Sequence, residues 1–237
     1  VVGPARATAA ATRLAAALAL AGAGAASAQG QDCTAALVLA LDVSASVDEV
    51  EYRIQMDGLA AAFRDEAVVQ TILAYPGAGI MATAFLWSGF QHQESVVGWT
   101  WLGSEAAIAA FADRIESMPR THDYWPTALG RAIAHAADLH DENGTPCRRR
   151  IVDVSGDGVN NDGQPPRWYA AQGRFAGLTV NGLVIRGAVP DPTGHYEREV
   201  LHGPGAFLEI ADSFEDYPAA ILRKLLRELQ PMLGGRR

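Results

Sequence analysis

The pattern of apolar and polar positions divides the chain into alternating strands and helices. Residues 35–41 form an uninterrupted apolar run of strand length, as expected of a strand buried on both faces. A helix is predicted over 47–66, with Asp48, Glu49 and Glu51 in the first turns, where the helix macrodipole favours acids. Residues 79–87 and 95–102 carry β-branched and aromatic side chains around a polar turn at 88–94, which predicts an antiparallel pair at a sheet edge. The helix predicted over 104–118 has Ser104 as N-cap and Ala107, Ile108, Phe111 and Ile115 on one face, and Met118-Pro119 ends it.

A polar, aromatic loop at 120–126 precedes a helix from 127 to about 140 and a connection over 141–150. A short buried strand, 151–154, then runs into Ser155-Gly156-Asp157-Gly158, a tight turn that presents a carboxylate. Next come a helix at 168–175, a strand at 178–185, a loop at 187–195, a helical turn or two at 196–201 and a strand at 206–210. The last helix, 214–229, is amphipathic, with Tyr217, Ile221, Leu225 and Leu229 on its apolar face. Strands alternating with helices predict an α/β fold: a doubly wound, mostly parallel central sheet with one antiparallel edge strand and helices on both faces.

Composition changes this picture at the amino terminus. Arg6 and Arg13, an Ala/Leu run over 14–21, and Ala26-Ser27-Ala28 make a secretory signal cleaved after Ala28. The run is short of the ~20 residues of a spanning helix, so no membrane span is expected after cleavage. The expected organisation is a signal at 1–28, a short linker at 29–34, one domain over 35–231 and a tail at 232–237, in a periplasmic or secreted protein. Loss of Arg6 and Arg13, with no acid, moves the formal charge from −8 to −10. Nucleic acid is therefore not an expected partner.

The two cysteines, Cys33 and Cys147, are an even pair in an exported chain, which suggests a disulfide. Cys33 and Cys147 each precede a predicted strand that ends in a carboxylate, Asp42 and Asp157 respectively. If those strands are parallel neighbours, both cysteines fall at the edge opposite the carboxylates. A bridge there closes a long loop and stabilises by about 3–5 kcal/mol on the chain-entropy model.

The candidate chemistry lies at the strand ends. Asp42, Ser44 and Ser46 follow the first strand, and a buried strand delivers its last side chains to the sheet's carboxyl edge, where open α/β folds place ligands. Hard oxygen donors suit a divalent cation, Mg²⁺ in the first place and Mn²⁺ or Ca²⁺ as alternatives. Neutral hydroxyls beside few carboxylates leave such an ion with residual positive charge, able to attract a carboxylate from outside. Thr127 at a helix start and Asp157 at a strand end extend the set.

Together, Asp42/Ser44/Ser46, Thr127 with Gly130, and Asp157-Gly158 resemble the metal-ion-dependent adhesion site of von Willebrand factor A domains. Order and spacing agree over almost the whole mature chain. More narrowly, the stretch from Ile151 to Asn161, then Asn181-Gly182-Leu183-Val184-Ile185 and Gly203-Pro204-Gly205-Ala206-Phe207, are similar to an uncharacterised family of exported bacterial proteins built on this domain. The resemblance implies metal ligation by Ser44, Ser46 and Thr127 directly, with one or both of Asp42 and Asp157 acting through water. It also implies a protein partner that presents Asp or Glu to the ion, no enzymatic activity, and in some members a shift of the last helix, here 214–229. Pro126 departs from the wider pattern, in which Gly often precedes the Thr, and Thr121 is a competing ligand in that loop.

A rival reading is a haloacid-dehalogenase-like phosphohydrolase using Asp42 and Asp157, since Gly156-Asp157-Gly158-Val159-Asn160-Asn161-Asp162 resembles its metal loop. That chemistry needs a second acid two residues after the nucleophile, and position 44 is Ser. A purely structural metal is the other alternative. No Gly-x-Ser-x-Gly elbow is present, and His135 and His140, five apart, do not share a helical face for zinc. Trp99, Trp101 and Trp168 read as packing residues, whereas Trp125, beside Thr127, could line a ligand's approach. Asn160, Asn161 and Asp162 read as turn formers, with hydrogen bonds that support the metal loop as the alternative.

Overall fold

A computed structural model describes residues 31–121 and 125–230, together with residues 1 and 3. The expected signal, apart from those two residues, and the expected tail at 232–237 lie outside the described residues. The apolar run at 35–41 is the centre of a longer strand, β1 (Asp32–Asp42), so pairing already begins within the segment expected to be a linker. Leu37, Leu39 and Leu41 of β1 enter one apolar core, and Val38 and Ala40 the other. Because both faces are buried, the strand reads as a continuous apolar run rather than an alternating one.

The other strands are β2 (Ala78–Trp87), β3 (Gln93–Leu102), β4 (Arg150–Gly156), β5 (Thr179–Ile185) and β6 (Leu208–Ala211). The sheet order is β3-β2-β1-β4-β5-β6, and only the β2/β3 pair is antiparallel, as expected for an edge. Helices α1 (Glu49–Arg64), α2 (Glu66–Ile72), α3 (Glu105–Glu116) and α7 (Tyr217–Leu229) cover one face. Helices α4 (Leu129–Glu142), α5 (Pro166–Ala171) and α6 (Thr193–Glu199) lie against the other. The strand order reverses between β1 and β4, so the fold's ligand crevice opens at their carboxyl ends.

Several boundaries differ from expectation for identifiable reasons. The predicted 47–66 helix ends at Arg64, and a further helix, α2, follows where none was predicted: Asp65 turns out of α1 with an extended backbone, and its Oδ1 accepts the Ala67 N–H at 2.9 Å to cap α2. The acids at its start do cap: Asp48 Oδ1 accepts the Glu51 N–H at 2.8 Å, and Glu51 Oε2 accepts the Asp48 N–H at 2.7 Å, a reciprocal capping box. Helix α5 starts earlier than predicted, with Pro166 in its first turn, and ends before Gly173 (φ +75°). Helix α6 takes in the end of the predicted 187–195 loop, and α7 starts at Tyr217, with Pro218 in its first turn.

Cys33 and Cys147 are bridged at the amino edge of the sheet, opposite the ends of β1 and β4, across a separation of 114 residues. Among the described residues, no helix is long and apolar enough to cross a membrane.

Candidate metal centre

Three segments meet at the carboxyl ends of β1 and β4. The first continues β1: Asp42 is buried, and its Oδ1 accepts the Ser44 N–H at 2.8 Å, which bends the chain tightly. Backbone bonds hold this loop from its neighbours, with the Val43 N–H donating to the Trp87 carbonyl and the Ala45 N–H to the Trp125 carbonyl, both at 2.9 Å. From α1, Gln55 Nε2 donates to the Asp42 carbonyl at 3.0 Å.

Thr127 supplies the second segment. Its N–H donates to Asn161 Oδ1 at 2.7 Å, and its carbonyl accepts the N–H groups of Asn161 at 2.9 Å and Asp162 at 3.2 Å. With its backbone committed there, Thr127 does not begin a helix, and α4 starts two residues later than expected, at Leu129. Its hydroxyl is spent on no cap and meets Ser44 Oγ at 3.3 Å. Gly130 is required by close approach, because a Cβ there would stand 2.2 Å from the Gln164 carbonyl.

Asp157, just past β4, completes the group, its Oδ1 accepting the Ser46 hydroxyl at 2.7 Å. Thr127 Oγ1, Ser44 Oγ, Ser46 Oγ and Asp157 Oδ1 thus form a chain with steps of 3.3, 3.3 and 2.7 Å. Neighbouring oxygens in the shell of an Mg²⁺- to Ca²⁺-sized ion are about 2.8–3.7 Å apart, so the two 3.3 Å steps suit one ion, while the 2.7 Å step is a hydrogen bond in the ion-free chain. All five expected residues are brought together. Thr121 is exposed, and no hydrogen bond among the described residues joins it to these oxygens.

Charge is the unusual property of the group. Burial, then the charge of Asp157, pushes the Asp42 carboxyl up to about 8 against the hydrogen bonds from Ser44. Burial also raises Asp157, opposed by the Ser46 hydroxyl. No Lys, Arg or His among the described residues pairs with either carboxylate, and Asp42 Oδ2 has no protein hydrogen-bond partner. Two buried carboxylates and three hydroxyls with no cation between them fit a hard divalent ion, which would supply the missing positive charge. No cluster of three or more His, Cys, Asp or Glu exists among the described residues, so nothing there resembles a nitrogen- or sulfur-ligated zinc site.

A family described as protein of unknown function, DUF1194, matches residues 32–233, a span that includes all three segments. The chain belongs to the DUF1194 family. No curated protein matches it in sequence. Among solved structures, this DUF1194 chain is similar to proximal thread matrix protein 1 from the mussel byssus (TM-score 0.62, 19% identity, 84% of this chain and 49% of that one). A form of that protein described as having a zinc-occupied MIDAS motif gives a TM-score of 0.59 at 17% identity, over 84% of this chain and 48% of that one. A von Willebrand factor type A protein from Catenulispora acidiphila gives 0.58 at 16% identity, over 83% and 42%. The DUF1194 chain spans about half the length of these structures or less, and the likeness establishes the fold: a von Willebrand factor A-like domain.

Within this DUF1194 site, Asn160 and Asn161 do more than shape a turn. Asn161 grips both sides of the Thr127 peptide unit, and Asn160 Oδ1 accepts the Gly130 N–H at 2.9 Å, so the third segment clamps the second. Two adjacent Asn directly after an Asp-Gly turn were the available signal. Asp162, which the phosphohydrolase reading would place on the metal, instead accepts the Phe90 N–H at 2.7 Å through Oδ2. Trp125 stacks on His92 at 4.0 Å and, with Phe90 and Asp162, borders a cleft of about 280 Å³ beside the site. Trp99 donates to the Leu139 carbonyl at 3.1 Å and packs against the α4 side of the sheet.

Proposed function

We propose that this protein is an exported binding module in which Asp42, Ser44, Ser46, Thr127 and Asp157 hold a divalent cation, Mg²⁺ by preference, whose open position takes an Asp or Glu side chain of a partner protein. The observation that carries the reading is the pair of buried carboxylates, Asp42 and Asp157, set among three hydroxyls with no internal cation. An ion held largely by neutral hydroxyls keeps enough positive charge to attract one more carboxylate. The mussel matrix protein described with a zinc-occupied MIDAS motif supports a divalent ion at such a place in this fold. The domain over 35–231 is the binding unit, and the Cys33–Cys147 bridge suits the oxidising conditions of the periplasm or the cell exterior. No catalytic step is assigned, because Ser44 stands where a phosphohydrolase needs its acid.

The test is thermal melting of the chain and of Asp157→Ala with Mg²⁺, Mn²⁺, Ca²⁺ or chelator, followed by titration of a Glu-bearing peptide panel and its Gln counterparts. An ion at a hundredfold its dissociation constant should stabilise the native chain by about 2.7 kcal/mol and leave Asp157→Ala unmoved. Ion-dependent binding of Glu but not Gln peptides is the expected second result. No ion-dependent shift in the native chain would refute the site, and ion binding without carboxylate preference would reduce it to a structural metal.

A further inference from the structure

Tyr196 of α6 is fully buried, and its hydroxyl has no hydrogen-bond partner among the described residues. Such a group costs stability, so a buried Tyr where Phe would pack equally well needs a reason. The reason lies along its ring. At Gly182 in β5 a Cβ would stand 2.9 Å from Tyr196 Cδ1, so the bare backbone there lets the ring lie directly on the sheet. At Gly156, the end of β4, a Cβ would stand 2.6 Å from the Tyr196 hydroxyl and 2.6 Å from Asp42 Oδ2. Two glycines on adjacent strands thus clear a path that brings one phenol to the back of the candidate ion site.

The two oxygens of Asp42 are unequal. Oδ1 accepts the Ser44 N–H, whereas Oδ2 has no donor among the described residues. Since Oδ2 and the Tyr196 hydroxyl are each 2.6 Å from the same point, they are separated by at most twice that distance. One bridging water spans up to about 5.5 Å, so the separation lies within the reach of a single water.

We propose that Tyr196 is a positioning residue of the ion site: its hydroxyl donates to Asp42 Oδ2 through one water and fixes that carboxylate toward the ion. The proposal rests on the metal-binding reading above. Hydrogen-bond partners of metal-binding carboxylates tune affinity in this way, and losing one typically weakens the metal about 10–100-fold. The five ligand residues come from β1, the loop before α4 and the end of β4, whereas Tyr196 ties in α6, which contributes none of them.

Tyr196→Phe removes the hydroxyl and keeps the ring, and Val200→Ala, next to it in the same core, thins the packing without touching a polar atom. Calorimetric titration of Mn²⁺ and Mg²⁺ into the native chain and both variants, repeated across pH, gives affinity, and denaturant unfolding in chelator gives stability. The expected result is a ~10–100-fold loss of affinity in Tyr196→Phe, with its pH profile displaced upward and its chelator-state stability falling less than that of Val200→Ala. Val200→Ala should lose stability while keeping the native affinity and pH profile. Equal affinity and pH profile in Tyr196→Phe and the native chain would overturn the proposal, and so would a comparable affinity loss in Val200→Ala. Absence of ion binding in the native chain would instead refute the metal reading, and the native titration alone shows it.

Discussion

Among the described residues, two places bury a pair of carboxylates, and they solve the problem differently. Under α7, Lys224 places its Nζ 2.6 Å from both Asp153 and Glu228, and Asn181 Nδ2 adds a bond to Glu228 Oε1 at 2.8 Å. One ammonium from within the chain meets both carboxylates there, although burial, then the charge of Asp153, still pushes the Glu228 carboxyl up to about 8. At the carboxyl edge, Asp42 and Asp157 are met only by hydroxyls and N–H groups. One strand, β4, carries both arrangements: Asp153 points to the α7 side, and Asp157 lies just past the strand's end. A buried acid pair with its own ammonium locks helix to sheet, whereas a pair without one is open to a cation from solution.

The largest expected effect tests the self-sufficient pair. Lys224→Met should cost about 3–5 kcal/mol in denaturant unfolding, because it leaves two buried carboxylates without their cation. Asp42→Asn, measured in chelator, should cost under about 1 kcal/mol or stabilise, since it relieves repulsion with Asp157. Equal and large losses in both would erase the distinction.

The clamp on Thr127 sharpens the comparison further. Asn161→Ala removes a bond to the Thr127 N–H without touching a ligand oxygen, and should weaken ion binding about tenfold in calorimetric titration. The same substitution should leave the Lys224 cluster intact, so ion-independent stability should fall by only about 1–2 kcal/mol.

A pH dependence with a definite sign follows from the same carboxylate. The Asp42 carboxyl, ordinarily near 3.8, is raised to about 8 in the metal-free fold, so the fold binds more protons than the unfolded chain between those values. This contribution to stability is fully present below 3.8 and is lost as pH rises through about 8. Melting in chelator should therefore fall with rising pH across this window, while ion affinity rises as the competing proton leaves. A flat affinity profile would contradict the assignment of Asp42.

Much of this was legible in the residues. The apolar run of β1, the β2/β3 edge pair, the acids opening α1 and the three oxygen-bearing segments at the carboxyl edge all follow from local pattern and spacing. So did the disulfide, because β1 and β4 are parallel neighbours. What escaped depended on tertiary context. Lys224 and Glu228, four apart on an amphipathic helix, have the spacing of a solvated pair. They are buried because α7 lies over Asp153 and Asn181, whose places inside apolar strand runs were the clue. Asp65 is compatible with a helix interior and ends one only because its side chain caps the next. Tyr196 had no signal at all, since its role depends on where Gly156 and Gly182 leave space.

The central claim is that Asp42 and Asp157 await an external cation, and calorimetry tests it most directly. Mg²⁺ titrated into the chelator-stripped chain at pH 7, in two buffers of different ionisation enthalpy, should show one ion bound per chain with a proton released, since Asp42 holds a proton before the ion enters. Asp157→Ala should abolish that binding. A native chain that takes up no divalent ion, or an Asp42→Asn/Asp157→Ala chain that binds it as tightly as the native, would contradict the account.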